Sequence, residues 1–198
     1  MTLHVLRAED RPPTPWKNGG GVTREIAAFP PGAGLDTFDW RVSMATVSDG
    51  GPFSIFPGVD RVLAVLEGEL TLRFESGSTL DLSPASPPAA FPGDIPLEAE
   101  TPSGLVIDLN VMTRRGRVRA AVTRVNFEGG RVVTAAWRTL ILSLGGGLSV
   151  GHGSGAHALD RFDAALAEQA AGEPFRLEAA GSGSAYRIDL HRVGGPTV

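Results

Sequence analysis

Arg61-Val62-Leu63-Ala64-Val65-Leu66-Glu67-Gly68-Glu69-Leu70-Thr71-Leu72-Arg73-Phe74 is the stretch that decides the fold class. Two apolar runs meet at Gly68, and the segment reads as a hairpin of two strands. A weaker echo follows downstream. Arg61-Val62-Leu63 with Gly68, Leu70 and Leu72 resembles Arg138-Thr139-Leu140 with Gly146, Leu148 and Val150. Leu97-Glu98-Ala99 returns as Leu177-Glu178-Ala179, and Ile107-Asp108-Leu109 as Ile188-Asp189-Leu190. Each match is short, but they keep their order at offsets of about 78 to 81 residues, which points to a duplicated β unit.

Neighbouring segments alternate with the same period of two. Phe38, Trp40, Val42 and Met44 share one face of a strand, and Arg41, Ser43 and Ala45 the other. Between Leu105 and Met112, Ile107, Leu109 and Val111 oppose Asp108 and Asn110. The 26 glycines and 15 prolines cut the chain into short pieces, as strands joined by turns require. One stretch reads as helical: Leu159, Phe162, Leu166 and Ala170 recur at helical spacing, with Gly172 as a C-terminal stop. The expectation is an all-β chain with one short helix in its second half. It divides into a first unit over residues 1–115 and a second, degenerate one over 116–198.

Composition narrows the function. The 198 residues carry 18 basic and 22 acidic side chains, a net charge of −4, so no global field draws the chain to nucleic acid or an anionic membrane. Absence of cysteine removes disulfides, thiolate metal sites and cysteine nucleophiles, and suits a reducing compartment. Charge enters the first ten residues too early for a signal-peptide core, and no apolar run is long enough to span a bilayer, so a cytoplasmic protein is expected.

Several residue groups invite chemistry. Lys17-Asn18-Gly19-Gly20-Gly21 either turns backbone amides towards an anion or is a plain turn before a strand carrying Thr23 and Glu25. Arg61 either stands at the mouth of a cavity, with Ser54 nearby, or forms a surface pair with Asp60. Asp108 and Asn110 are buried polar groups in need of partners if their face lines a barrel. His4, His152, His157 and His191 are scattered without metal-ligand spacing, although an Asp189–His191 pair is conceivable. No Gly-x-Ser-x-Gly elbow is present. Arg114, Arg115, Arg117, Arg119 and Arg124 lack interleaved aromatics and read as a solvated connector.

Taken in order, several of these segments resemble the HutD/Ves family of bacterial cupin proteins. They are Pro15-Trp16-Lys17-Asn18-Gly19-Gly20-Gly21, Phe38-Asp39-Trp40-Arg41-Val42-Ser43, Gly51-Pro52-Phe53-Ser54 and Phe56-Pro57-Gly58 with Arg61. Leu66-Glu67-Gly68, Phe91-Pro92-Gly93-Asp94 and Asp108-Leu109-Asn110-Val111-Met112 complete the set. The resemblance covers roughly residues 10 to 115. It implies a bicupin, two RmlC-like barrels packed together, and a departure from metal cupins. Phe56-Pro57-Gly58-Val59-Asp60-Arg61 stands where a metal cupin carries its first ligands, and Phe91-Pro92-Gly93-Asp94 where its later histidine falls. It further implies a pocket for an intermediate of histidine breakdown such as urocanate or N-formylglutamate, both carboxylates. Within the matched motifs the ligand-binding candidates are Lys17, Asn18, Thr23, Glu25, Arg41, Ser43, Ser54, Phe56, Arg61, Asp94, Asp108 and Asn110.

The leading expectation is a cofactor-free, metal-independent binding protein that regulates histidine catabolism. It would hold a small carboxylate on Arg41 and Arg61, with no nucleic-acid or membrane partner and room for a homodimer. One rival is a metal-independent isomerase or lyase using Glu25, Asp94 or Asp108 as general base. The other is a protein-interaction scaffold.

Overall fold

The computed structural model describes residues 1–168 and 171–194. Seventeen strands and no helix are found among them. In chain order they are β1 (Thr2–Leu6), β2 (Pro13–Pro15), β3 (Gly21–Phe29), β4 (Trp40–Val47), β5 (Gly51–Pro52) and β6 (Val59–Glu67). Next come β7 (Leu70–Phe74), β8 (Thr79–Leu82), β9 (Ala89–Pro92), β10 (Leu97–Glu100) and β11 (Val106–Arg114). Last are β12 (Val118–Thr134), β13 (Arg138–Ser143), β14 (Leu148–His152), β15 (Gly155–Leu159), β16 (Ala164–Glu168) and β17 (Pro174–Arg192). Among the described residues no helix is long and apolar enough to cross a membrane.

The chain forms two compact units, Arg11–Val118 and Met1–Asp10 with Arg119–Val198. The first ten residues therefore do not belong with the segment that follows them, as the division at residue 115 had it. β1 instead pairs antiparallel with β16, Leu3 opposite Ala167 and Val5 opposite Ala165. Met1, Leu3 and Val5 pack on the core of Ile141, Leu148, Val150, Phe175 and Leu177. A pairing this distant in sequence leaves no local trace.

The expected helix over Leu159–Ala170 is also replaced. Leu159 ends β15, a turn occupies Asp160 to Asp163, and Leu166 lies in β16; Ala170 is outside the described residues. Tertiary packing overrides the helix-forming composition of Ala164-Ala165-Leu166-Ala167-Glu168, because Ala165 and Ala167 close over the core from a strand. The apparent helical spacing came from the ends of two strands and the turn between them.

In the Arg11–Val118 unit a six-stranded sheet (β2-β3-β4-β11-β6-β9) and a four-stranded sheet (β5-β10-β7-β8) supply one core. Ala45, Val47, Leu63, Val65 and Phe91 come from the first sheet, and Leu70, Leu72, Leu82, Leu97 and Ala99 from the second. Gly68 links β6 to β7 at φ +80°, and a Cβ there would lie 2.5 Å from the Leu105 carbonyl oxygen. In the other unit β17 pairs with β14 through Arg176–Ala179 and with β13 through Ala185–Leu190, so one long strand curls the sheet upon itself.

The two cores refine the repeat. Leu70 and Leu72 point into one core, and Leu148 and Val150 into the other, at an offset of 78. At the same offset Leu63 aligns with Ile141, both interior. The match of Arg61-Val62-Leu63 with Arg138-Thr139-Leu140 is thus one residue out of step, and such a slip swaps faces. Arg61 corresponds to Thr139.

Candidate functional site

Residues directly opposite in antiparallel strands share a face, so the register fixes what lines the interior of the six-stranded sheet. One rung runs Glu25, Ser43, Asn110, Leu63, Ala89. A second runs Thr23, Ala45, Asp108, Val65, and a third Arg41, Met112, Arg61, Phe91. Ala45, Leu63, Val65 and Phe91 belong to the core, so the polar members of these rungs face inward with them. Seven of the sequence-derived candidates are thereby brought onto one interior face: Thr23, Glu25, Arg41, Ser43, Arg61, Asp108 and Asn110.

Arg61 is 5% exposed and Asp108 2%. The Arg61 guanidinium lies 4.6 Å from the ring centre of Phe53, 5.5 Å from Phe91 and 5.9 Å from Phe56, an aromatic setting that favours a cation. Its stem passes Gly93, where a Cβ would stand 3.3 Å from the arginine Cγ and Cδ and 3.0 Å from the Val59 carbonyl oxygen. The surface pair of Asp60 with Arg61 does not form; Asp60 binds Arg115 instead. Burial lowers the Arg61 guanidinium to about 10, against the opposing pull of Asp108. Burial likewise pushes the Asp108 carboxyl up to about 7, although Arg61 draws it down.

These opposite charges interact through space without touching. Arg61 Nε, Asp108 Oδ1 and Asn110 Oδ1 are buried and have no hydrogen-bond partner. Three such groups gathered on one face call for an explanation, since each unmet buried group costs on the order of 1–3 kcal/mol. Arg41, by contrast, is occupied: its Nε donates to Glu25 Oε2 at 2.7 Å and its guanidinium to Ser43 Oγ at 3.2 Å. Glu25 remains 46% exposed at its side chain, so this pair sits at the wet edge of the cluster. Thr23 accepts from Trp16 Nε1 at 2.8 Å.

The remaining candidates stand apart. Lys17, Asn18 and Ser54 are exposed, and Phe56 is half-buried. Asn18 Oδ1 accepts from the Gly20 amide, and the Gly19 amide donates to the Trp16 carbonyl. Those amides are used within the turn, and the anion cradle considered for the glycine run is not built. Asp94 is held by Arg115, whose guanidinium keeps its carboxyl below the usual carboxylate range. Arg114, Arg115 and Arg117 clamp loops of the same unit, through the carbonyls of Asp36 and Pro57 and the carboxylates of Asp60, Asp94 and Asp39. Asp189 is engaged by Thr139 and Arg187 rather than by His191.

Three contributors were not named as site residues from sequence. Phe53 and Phe91 flank Arg61, and Met112 completes its rung; only the position of Met112, alternating with Asp108 and Asn110, foretold a role. A concavity of about 470 Å³ between Phe74, Glu75, Phe91, Ile95 and Pro96 is an open groove whose lining includes none of the orphaned groups and meets the cluster at Phe91. Among the described residues no three His, Cys, Asp or Glu side chains are grouped to hold a metal ion. The interior cations Arg41 and Arg61 make this face a poor fit for one.

A β-structure with barrel-like sheets, without a helix among the described residues, is the architecture of cupin-like proteins. A cupin barrel protein of Leptotrichia buccalis matches with a TM-score of 0.59 at 12% identity over 86% of this chain and 88% of that one, a likeness of fold alone. The chain belongs to the HutD family, whose model matches residues 8–186. It is 40% identical to protein Ves of Citrobacter koseri over 62% of this chain and 69% of that protein. It is 36% identical to a 21.2 kDa protein of the hutC 3′ region of Pseudomonas putida, over 71% and 72% respectively. The structure of HutD from Pseudomonas fluorescens SBW25 superposes with a TM-score of 0.84 at 30% identity, covering 98% of this chain and 100% of that one. These relatives tie the family to the histidine-utilisation locus.

Proposed function

We propose that the chain is a bicupin whose Arg11–Val118 unit binds a small carboxylate and thereby reports on histidine breakdown. The observation that carries this reading is the uncompensated Arg61, a guanidinium buried among aromatic rings with its Nε unmet. A planar cation in that setting suits a carboxylate, which can accept two parallel hydrogen bonds. The association with the hutC region favours an acid from histidine catabolism, urocanate and N-formylglutamate being the first to try. The bicupin reading rests on the hairpin that recurs with its core positions in step. The metal-independent reading rests on the donor set of the interior face.

The test is a thermal-shift screen of chelator-treated protein against urocanate, N-formylglutamate, glutamate, histidine and unrelated acids, repeated with Arg61→Met. A bound acid at a hundred times its Kd should add about 2.7 kcal/mol. Removal of Arg61 should weaken binding by about 2–5 kcal/mol. No stabilisation by any acid, or undiminished stabilisation of the variant, would overturn the reading. A second reading is favoured by Asp108 alone, whose carboxyl near 7 is suited to a general base in an isomerase or lyase. Consumption of the stabilising acid during the same incubation would select it.

A further inference from the structure

The three asparagines of the chain stand in different settings. Asn110 is half-buried within β11 and precedes Val111, and Asn126 lies within β12 and precedes Phe127. Asn18 alone is followed by glycine, and both Asn18 and Gly19 are exposed in the turn that joins β2 to β3. An asparagine carries its Cγ close to the next backbone nitrogen, and their union closes a five-membered ring, so proximity favours the reaction. A side chain on the following residue would shield that nitrogen. Gly19 has none, and no atom lies within 4 Å of where its Cβ would stand.

The turn also arranges the carboxamide. Asn18 Oδ1 accepts from the Gly20 backbone N–H at 3.2 Å, which folds the side chain over its own peptide bond. That donor faces the oxygen on which negative charge gathers when a nucleophile adds to Cγ, as in an oxyanion site. The glycine run thus aims one amide at the side chain of its own turn. The Gly19 N–H donates to the Trp16 carbonyl oxygen at 3.1 Å, a bond it must leave before its nitrogen attacks.

We propose that Asn18 is a site of spontaneous modification, its carboxamide displaced by the Gly19 nitrogen and then hydrolysed to aspartate and isoaspartate. The Gly19 N–H gives its proton to solvent and the nitrogen bonds to Asn18 Cγ. The bond from Cγ to the side-chain nitrogen breaks, and that nitrogen leaves as ammonia after taking a proton from solvent. Water then opens the cyclic imide at either carbonyl. Opening at Cγ gives aspartate; opening at the main-chain carbonyl gives isoaspartate, whose backbone runs through Cβ and Cγ and is one atom longer. The turn has little slack for that atom. Trp16 N donates to the Gly21 carbonyl oxygen at 2.9 Å, and the Gly20 carbonyl accepts from the amides of Ser48 and Asp49. A Cβ on Gly21 would stand 2.9 Å from the Thr46 carbonyl oxygen and 3.0 Å from Trp16 Cε3. Isoaspartate therefore loosens Trp16, whose Nε1 ties the turn to Thr23 on β3.

The experiment incubates the full chain at pH 8 and 37 °C and follows its proteolytic peptides by mass spectrometry, with the chain in guanidinium chloride as the unfolded reference. Deamidation raises a peptide's mass by one dalton, whereas isomerisation at Asp49-Gly50 leaves it unchanged. Asn18 should convert before Asn110 and Asn126, with isoaspartate among its products. The Gly20 donor should offset the Gly19–Trp16 bond, so that the folded chain converts at no less than about a third of the unfolded rate. Asn18→Gln, whose longer side chain would have to close a six-membered ring, should abolish the gain in that peptide. Conversion slower than a third of the unfolded rate would mean that the turn protects Asn18, and would overturn the proposal. So would conversion that begins at another asparagine, or a gain in the same peptide that survives Asn18→Gln.

Discussion

The two units solve one problem in opposite ways. Each places polar side chains on the inner face of a curled sheet, and in the Met1–Asp10 and Arg119–Val198 unit Thr139, Arg187 and Asp189 partner one another, Arg187 Nε through an ion pair and not a hydrogen bond. Thr139 donates to Asp189 at 2.6 Å while its hydroxyl oxygen accepts from the Ala136 amide. Arg187 pairs with the same Asp189 at 2.7 Å and donates to the Thr134 carbonyl at 2.6 Å. In the Arg11–Val118 unit the position of Thr139 is taken by Arg61, and the Oδ1 atoms of Asp108 and Asn110 are left unmet. Tyr186, whose buried hydroxyl also lacks a partner, alternates onto the other face of β17 and does not enter this comparison. One interior joins its opposite charges directly, Arg187 with Asp189, whereas the other buries Arg61 and Asp108 without a direct ion pair between them.

The comparison breaks most visibly at Asp108. Its folded carboxyl is raised to about 7 against an ordinary value near 3.8. Below pH 4 it is protonated in both the folded and the unfolded chain and costs nothing. Between pH 4 and 7 the folded protein retains a proton that the unfolded chain has lost, so this contribution to stability disappears as pH rises. Asp108→Asn should therefore match wild type near pH 4 and exceed it by something of order 2–4 kcal/mol above pH 7.5, read from urea unfolding at each pH. A parallel pH profile for the two proteins would mean that Asp108 is already satisfied. The closed interior should answer differently. Thr139→Val removes one of the two partners of Asp189 and strands the Ala136 amide, and should cost about 1–3 kcal/mol in urea unfolding while leaving acid binding unchanged. The smallest effect is expected at Arg41. Its partner Glu25 is half exposed, so Arg41→Gln should weaken acid binding by only about 1 kcal/mol in calorimetry, well below Arg61→Met. Equal losses at the two arginines would move the carboxylate to the wet edge of the cluster.

Much of this face was legible in the sequence, because a strand has a period of two and a polar residue between apolar ones declares its side. Arg41 with Ser43, and Asp108 with Asn110, were readable in that way. What the period could not say was which face is inside, and the surprise is that the polar row of β4 shares its side with the core residues Ala45 and Val47. Nor could it distinguish Arg41 from Arg61, since one is bound by Glu25 sixteen residues earlier in the chain and the other is wrapped by Phe53 and Phe91 from separate loops and strands. Asp94 sat in a matched motif yet belongs to Arg115, a partner 21 residues away that no local pattern ties to it. The helix failed for the converse reason: Ala164 to Glu168 has helix-forming composition, but its pairing with β1 and β13 outweighs local preference.

The seam between β1 and β16 gives the chain an order of assembly. The Met1 amino group meets Glu173, 172 positions later, so β1 must wait for the distant β16 before it can pair. Meanwhile Arg11–Val118 is one unbroken segment, complete in sequence before its companion has half its strands. Cut out at those two joints, it carries its entire sheet pair with it. The residues after Val118, taken alone, would leave the exposed edge of β16 where β1 should lie, open to pairing with another chain. During synthesis the Arg11–Val118 unit is thus the one that can close first, and the other unit is the one that depends on β1.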